Sequence, residues 1–459
     1  MSSKQNTAAG ERLSLVGHRD PQAIAAWRRG TAVTAGRLLA DVQCAANALP
    51  DRGHVLNLCA DRYCFAVALL AALARGQTTL LPPATTPALV GAMRDFAPDV
   101  YFVSEDDSAQ ADLPRAPLAF SSPGDPEVAE APVAAASHVA AIVFTSGSTG
   151  QPQPHAKSWG SLCRNVLAEA VRLGISGPGH AILGTVPPQH MYGLESTVLL
   201  PLLAGAALTA ERPFYPADID LAIDRVPAAR TLFTTPFHLR HWMASGEVAR
   251  LETIVSATAP LSVALVREAE ARTGARLLEI YGCTETGQLA TRQPTQSPEW
   301  HAYEGIRLRE ENGRTWASGG HIEEPTALSD LIEIAASDGS HFVLLGREAD
   351  VVNIAGKRNS LAYLNHQLTA IPGVVDGAFH APDETQSDGV TRLVAFAVAP
   401  GIPPAAILAA LRERIDPVFL PRPLVMLDSL PRRVTGKIAL EDLRELTAKA
   451  RLTPAKEGA

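Results

Sequence analysis

The stretch Val139-Ala140-Ala141-Ile142-Val143-Phe144-Thr145-Ser146-Gly147-Ser148-Thr149-Gly150 decides the fold. Its first six residues form an apolar run of the kind buried strands show, and the run stops at a cluster of hydroxyl and glycine residues. Pro152 and Pro154 then delay any helix, because proline removes a backbone donor and restricts the residue before it. Trp159, Leu162, Val166, Leu167, Ala170 and Val171 follow at helical spacing, and that pattern ends at Gly174. The Ser/Thr/Gly piece is therefore expected as a free loop between a strand and a helix.

Upstream, Leu38, Leu39, Val42, Ala45, Ala46 and Leu49 predict a helix, His54 to Cys59 a strand, Phe65 to Leu73 a helix and Thr79–Leu81 a strand. This βαβ alternation implies a parallel sheet covered by helices, an α/β fold. The Pro/Ala-rich piece from Pro114 to Ala136 reads as a surface connection. Downstream, predicted strands lead into Pro187-Pro188-Gln189-His190-Met191-Tyr192-Gly193, Thr234-Thr235-Pro236-Phe237, Ala257-Thr258-Ala259-Pro260 and, from Leu277 to Tyr281, Gly282-Cys283-Thr284-Glu285-Thr286-Gly287. Strands ending in small or polar residues are expected where ligands sit at the carboxyl edge of a sheet. From Gly346 the segments shorten, with strands near 351–354, 374–379 and 392–398 and helices near 361–369, 404–414 and 438–446. The division expected is a large domain, 1–346, of βαβ-type sheets covered by helices, and a small mobile α+β domain, 347–459.

The chain has 459 residues, 46% apolar and 19% charged, which supports large conventional cores and excludes global disorder. Its net charge is −8, with no dense basic stripe, so nucleic acid is not an expected partner. The longest apolar stretch, Phe65–Ala74, is far below the ~20 residues needed to cross a bilayer. Met1 to Arg12 lacks the order of a secretory signal. Five cysteines without a CxxC pair fit reduced thiols in a cytoplasmic protein, with neither disulfides nor a zinc knuckle expected.

A Ser/Thr/Gly loop after a strand can cradle phosphate, because small residues let several N–H groups and hydroxyls converge on one anion. Alone this is weak, since a flexible linker has the same composition. The pattern GxxxxGK[ST] is absent, as Gly150 is followed by Gln151 and Pro152, which excludes a P-loop kinase. No GxGxxG occurs either.

TSGSTG at 145–150 and YGCTETG at 281–287 together resemble signatures of the adenylate-forming enzymes: acyl- and aryl-CoA synthetases, luciferases and peptide-synthetase adenylation domains. Three further signatures stand in family order: Ser329-Asp330; Gly346-Arg347 with Asp350 and Gly356-Lys357-Arg358; and Leu430-Pro431-Arg432-Arg433-Val434-Thr435-Gly436-Lys437. The resemblance spans about 139–440. It implies ATP and Mg2+ as cofactors and CoA or phosphopantetheine as thiol acceptor. Thr145, Ser146, Gly147, Ser148, Thr149 and Gly150 would hold the β- and γ-phosphates. Tyr281, with Gly282, would lie on adenine, Thr284 would bond the α-phosphate and Glu285 would bind the magnesium. Asp330 and Arg347 match ribose-hydroxyl positions. Lys437 would stabilise the developing transition state between substrate carboxylate and α-phosphate. His190, in PxxHxxG, with Ala257, Thr258 and Cys283, would face the acid.

Duller roles exist beside these: a core position for Tyr281, a turn cap for Glu285, a solvated surface charge for Lys437 and a packed histidine at 190. The pairs His238/His241 and Cys59/Cys64 lack complementary metal ligands and read as structural. The piece 412–444 carries seven basic and five acidic residues, a solvated face that could also receive an acidic acyl carrier protein.

Three departures from the family pattern stand out. Pro152-Gln153-Pro154 replaces the common Pro-Lys-Gly, so a pyrophosphate-side lysine is missing and Lys157 is the candidate substitute. Ala349 occupies a hinge position that is often Asp or Lys. Ala257-Thr258 replaces Gly-Gly, and the added volume points to a compact, hydroxybenzoate-like acid. The short chain and the Gln-Pro-His variant of the loop are also similar to the ligases of aryl-polyene and xanthomonadin-type pigment pathways. The expected activity is an ATP-dependent acid–thiol ligase that makes an acyl-AMP. Its partners would be a small carboxylic acid and acyl carrier protein, the alternatives being a CoA ligase for medium aliphatic acids or a non-catalytic nucleotide-binding relative.

Overall fold

Local capping chemistry places the helices where the apolar periodicity begins. Thr34 accepts from the N–H of Arg37 at the start of helix Ala35–Ala48, Asp61 from Cys64 at Arg62–Ala74, and Ser158 from Ser161 at Trp159–Leu173. Gly174, at φ 68°, ends the last of these in the left-handed conformation that costs glycine nothing. Helix Pro236–Met243 has Thr235 as its cap and proline at its first position. The structure is a computed structural model that describes residues 10–105, 111–146, 152–227, 229–347, 351–354, 357–382, 392–432 and 438–452.

Two sheets organise the chain up to Arg347. The first has six strands in the order Pro152–Ser158, Val139–Ser146, Thr78–Leu81, His54–Asn57, Tyr101–Ser104, Arg115–Pro117 among the described residues. Its pairs are parallel except the outermost, Pro152–Ser158 against Val139–Ser146. The second has a parallel centre in the order Arg276–Cys283, Thr253–Ser256, Arg230–Thr234, Ala181–Gly184, Ala207–Thr209, Ile24–Arg28. Antiparallel strands extend it at both edges: Thr31–Thr34 on one side, and Gly287–Arg292, Trp300–Ala302, His341–Arg347 and Asp330–Ile334 on the other.

Helix Arg62–Ala74 is buried from Arg62 to Leu73. Its side chains join those of helices Ala35–Ala48 and Trp159–Leu173 in the core shared by the two sheets. A second core lies under helices Pro216–Asp224, Pro236–Met243 and Val263–Thr273 on the outer face of the larger sheet. C-terminal residues build cores of their own, one around Leu364, Phe379, Ala395 and Leu411, another around Phe396, Val398 and Leu430. These pack helices Leu361–Thr369, Pro404–Arg412 and Leu440–Leu452 onto a sheet of Asp376–His380, Val394–Val398 and Leu424–Met426.

Three local expectations are corrected. Residues 147–151 do not lead from a strand to a helix: Pro152 pairs with Ser146 and the antiparallel register runs on to Lys157 and Ala141, so they join two strands. Pro152 and Pro154 are accommodated because that strand is the sheet's edge, where a missing donor leaves no ladder bond unmade. The 114–136 connection contains strands Arg115–Pro117 and Val133–Ala135, with Ala116 and Ala134 buried. The last helix begins at Leu440 and runs to Leu452.

Candidate active site

The parallel register aligns the carboxyl ends of four neighbouring strands. Gly184 lies beside Phe233, Thr234 beside Ser256, and Ser256 beside Glu279. The segments leaving those ends therefore share one edge of the sheet, the position where open α/β folds bind ligands. Tyr192 stitches two of them together, its hydroxyl donating to the carbonyls of Thr234 (3.2 Å) and Val255 (3.1 Å). Arg62 is fully buried beneath, and its guanidinium donates to the carbonyls of Thr209, Glu211, Gly184 and Val186 and to Thr197 Oγ1. The glycine of PxxHxxG has a steric reason: a Cβ on Gly193 would stand 1.9 Å from the carbonyl oxygen of Pro187.

Of the residues expected to face the acid, His190 is half-buried and stands at the N-cap position of the short helix Met191–Gly193. Ala257 is buried, with its N–H on the carbonyl of Thr234 at 3.4 Å. Thr258 is exposed and holds φ 83°, a left-handed conformation in which glycine is at ease and threonine is strained. His238, whose sequence context reads as structural, is 2% exposed, with Nδ1 on Thr235 Oγ1 at 2.9 Å and the rings of Phe214 and Phe237 edge-on to it. Burial pushes its pKa down to about 4, so it is neutral at pH 7.

Of the residues expected to hold the nucleotide, Tyr281 donates its hydroxyl to Asp330 Oδ2 at 2.8 Å, while its ring packs against Trp300 and Phe342. Asp330 in turn pairs with Arg347 across the strand ladder, so three residues singled out from distant motifs meet. A register shift between Tyr281 and Gly282 then re-aims the chain into the Cys283–Gly287 turn.

That turn is fastened from below by groups the motifs did not include. Lys157 Nζ donates to the carbonyl oxygen of Glu285 at 2.9 Å, and His321 Nε2 to that of Thr286 at 2.9 Å. Because a carbonyl only accepts, His321 carries its proton on Nε2; burial pushes its pKa down to about 4. Gly287, at φ 76°, rests on Asn165 and Glu195, where a Cβ would come within 2.4 Å of Asn165 Nδ2 and 2.8 Å of Glu195 Oε1. Beneath lies a buried chain of bonds: Asn165 to Glu195, Tyr303 to Gln288, Gln288 to Ser196 and Ser196 to Glu169. Burial pushes the Glu195 carboxyl up to about 8 and the Lys157 ammonium down, each offset in part by the other. The signal for this network was present as Asn165 and Glu169, two polar residues four apart on an otherwise apolar helical face.

Lys157, the candidate replacement for the missing pyrophosphate-side lysine, stands five residues from the hairpin end of its strand, roughly 17 Å at the usual rise. Its ammonium is turned inward to Glu285. Cys283 Sγ meets Thr286 Oγ1 at 3.1 Å, and burial pushes the thiol up to about 11. Thr284 is half-buried and Glu285 is exposed. Partial burial pushes the Glu285 carboxyl up, but its own N–H, the Cys283 thiol, His155 and Lys157 outweigh this and hold it below the usual carboxylate range. It is therefore ionised at pH 7.

Thr145 Oγ1 meets His155 Nε2 at 3.0 Å across the hairpin strands. Gly147, Ser148, Thr149, Gly150, Gln151, Ala349, Asp350, Gly356 and Lys437 lie outside the described residues, and of Ser146 and Arg347 the structure describes the backbone alone. Magnesium takes oxygen ligands and needs only one or two carboxylates when phosphate oxygens and water complete its shell, a requirement that ionised Glu285 with Thr284 beside it fits.

A parallel α/β sheet with this turn at its carboxyl edge, preceded by a second sheet whose strands Val139–Ser146 and Pro152–Ser158 pair antiparallel at its edge, defines the adenylate-forming fold. ATP-bound MatB from Rhodopseudomonas palustris shares it, with a TM-score of 0.78 over 94% of this chain and 97% of that chain at 21% identity. So does the O-succinylbenzoate coenzyme A synthetase MenE from Bacillus subtilis in complex with AMP, with a TM-score of 0.78 over 95% and 98% at 17% identity. The signature of the AMP-binding enzymes matches residues 14–307, and the chain belongs to that family, as an AMP-forming acid–thiol ligase. The 4-coumarate–CoA ligase of Rhodobacter capsulatus is 31% identical over 295 residues, 62% of this chain and 70% of the relative. The indoleacetate–CoA ligase of Aromatoleum aromaticum is 25% identical over 406 residues, 79% and 77%. No helix among the described residues is long and apolar enough to cross a membrane.

Proposed function

We propose that this enzyme condenses a small aryl carboxylic acid of hydroxybenzoate type with ATP, giving an acyl-AMP and pyrophosphate, and then passes the acyl group to a phosphopantetheine thiol. The observation that carries the reading is the bond from Tyr281 to Asp330 beside the fastened Thr284–Glu285 turn, which joins the nucleotide motifs at one sheet edge.

In the first step a carboxylate oxygen of the acid attacks the α-phosphorus, and the bond to the bridging oxygen of pyrophosphate breaks. Asp330, oriented by Tyr281, accepts from the ribose hydroxyls, and Arg347 donates to a ribose oxygen. Thr284 donates to the α-phosphate, and residues 145–150 receive the β- and γ-phosphates. Glu285 is the carboxylate for magnesium, which when bound offsets phosphate charge. Lys437 places a positive charge between carboxylate and phosphate in the transition state. Residues 347–459 act as the mobile domain that brings Lys437 in and withdraws it for the thiol step, in which sulfur adds to the acyl carbon and AMP leaves.

The acid is accommodated by His190, Ala257, Thr258 and Cys283, with the side chains at 257 and 258 shortening the space available. The aromatic acids in the names of the relatives support this choice. Carrier protein as thiol acceptor rests on the likeness to pigment-pathway ligases. A second reading, CoA as the acceptor, is favoured by those same relatives. The test is acid-dependent pyrophosphate release across benzoates, cinnamates and fatty acids, followed by competition of CoA with holo-carrier protein. Release that persists undiminished in Lys437→Ala removes that lysine from the mechanism, and a fatty-acid preference removes the aryl assignment.

A further inference from the structure

Three consecutive residues of the Thr-Glu turn are fastened from underneath: Glu285 by Lys157, Thr286 by His321 and Gly287 by contact with Asn165 and Glu195. Thr284, half-buried, and Glu285, exposed, are thereby carried on a strip of backbone held by buried groups. Lys157 differs from the other supports. It is a charged side chain, 7% exposed, that arrives from the other sheet and spends a donor on a main-chain oxygen. Burying an ammonium is costly unless charge and hydrogen bonds compensate. Here burial lowers the ammonium's pKa, and the bond to the Glu285 carbonyl is the hydrogen bond it makes.

We propose that Lys157 is a positioning residue for the adenylation reaction: through the main-chain oxygen of Glu285 it holds the Thr284–Glu285 turn where the ATP–magnesium complex binds. The inference rests on the assignment of Thr284 and Glu285 to that complex. It replaces the notion of a surrogate phosphate lysine with a different geometry. The ammonium supports the turn from the protein side, and no phosphate contact is required of it. Lysine suits the task because its three donors radiate from one compact head on a long stem, so a single side chain crosses between the sheets and still delivers a linear bond.

The test compares the full-length protein with Lys157→Met, which keeps stem length and deletes the charge, and with Lys157→Met/Glu195→Gln, which also replaces the neighbouring buried carboxyl with a group that cannot ionise. Two readouts are taken: the rise in melting temperature on adding ATP with MgCl2, and the separate KM values for ATP–magnesium and acid in pyrophosphate release. Groups that support a metal ligand typically change affinity or activity by 10–100-fold on mutation, so the KM for ATP–magnesium is expected to rise by about that factor while the KM for the acid is unchanged, and the ATP–magnesium thermal shift is expected to shrink in both variants. If Lys157→Met fails to fold, the double variant is read by itself. A double variant with the wild-type thermal shift and wild-type KM for ATP–magnesium overturns the role of Lys157, because the turn then keeps its place without the bond to the Glu285 carbonyl. Glu285→Ala separates this from the parent reading: if that protein keeps the ATP–magnesium shift, the assignment of Glu285 itself fails.

Discussion

Arg432 closes a two-pronged fork on Asp376, Nε to Oδ2 at 2.7 Å and Nη2 to Oδ1 at 2.6 Å. The same carboxylate lies 3.7 Å from Arg240, on the helix that begins at Pro236, and Arg240 also donates to the carbonyl of Val375 at 2.8 Å. Arg432 and Ile438 form an antiparallel bridge, so the base of the segment leading to Lys437 is fixed by a carboxylate that helix Pro236–Met243 also holds.

Asp376→Asn removes the one negative charge between two guanidiniums and keeps the shape. Breaking a buried ion cluster from one side is expected to cost roughly 3 kcal/mol, seen as a lower urea midpoint. Because Arg240 and Arg432 belong to elements far apart in the chain, a larger fall in the adenylation rate than in acid affinity is also expected. An Asp376→Asn protein with wild-type midpoint and wild-type adenylation rate would show the cluster to be ornamental.

Tyr281→Phe deletes the hydroxyl that orients Asp330 and leaves the ring packing against Trp300 and Phe342. A hydrogen bond to a charged group is worth about 1.5–3 kcal/mol, so the KM for ATP is expected to rise by about one to two orders of magnitude with the acid's KM unaffected. Isothermal titration with AMP gives an independent check; equal affinity in the two proteins contradicts the orienting role.

Thr258→Gly relieves a backbone held at φ 83°. Left-handed strain in a non-glycine residue costs of order 1–3 kcal/mol, against roughly 0.5–1 kcal/mol for the extra freedom glycine gives the unfolded chain. A gain on the order of 1 kcal/mol in stability and acceptance of bulkier acids are expected. A lower denaturation midpoint combined with an unchanged acid profile would contradict both.

Stability should fall in mild acid. Burial pushes His238 and His321 down to about 4, below the ordinary histidine value of 6.5. The unfolded chain therefore takes up protons first, so the contribution of these residues is present above pH 6.5 and is lost as the pH falls toward 4. For each, the full difference is on the order of 3 kcal/mol. Urea midpoints measured at pH 7.5 and 4.5 should differ, and His238→Phe should flatten the difference; a pH-independent wild-type midpoint contradicts the account.

The parallel core was legible because its evidence is local: helix 35–48, strand 54–57 and helix 62–74 follow from apolar spacing and single caps. Several antiparallel strands after Gly287 were not read, since their registers depend on partners far along the chain, such as Trp300 against Phe342. The site divides in the same way. Motifs identified Tyr281, Thr284, Glu285 and Asp330, whereas Asn165, Glu195, Gln288 and His321 act through contacts between residues 30 to 92 positions apart and belong to no short pattern. Lys157 stands out in the sequence as a charge near a loop, but the direction in which its side chain points depends on strand pairing with Ala141.

The two prolines of the outermost strand bear on how the protein behaves in a crowded solution. An exposed sheet edge recruits strands from other molecules through its outward N–H groups. At Pro152 and Pro154, alternate positions on one side of that edge, the donors do not exist. Intermolecular strand addition there would begin two hydrogen bonds short. A tract that first registers as an interruption of secondary structure thus serves colloidal stability, and replacing both prolines would expose a surface on which aggregates can nucleate.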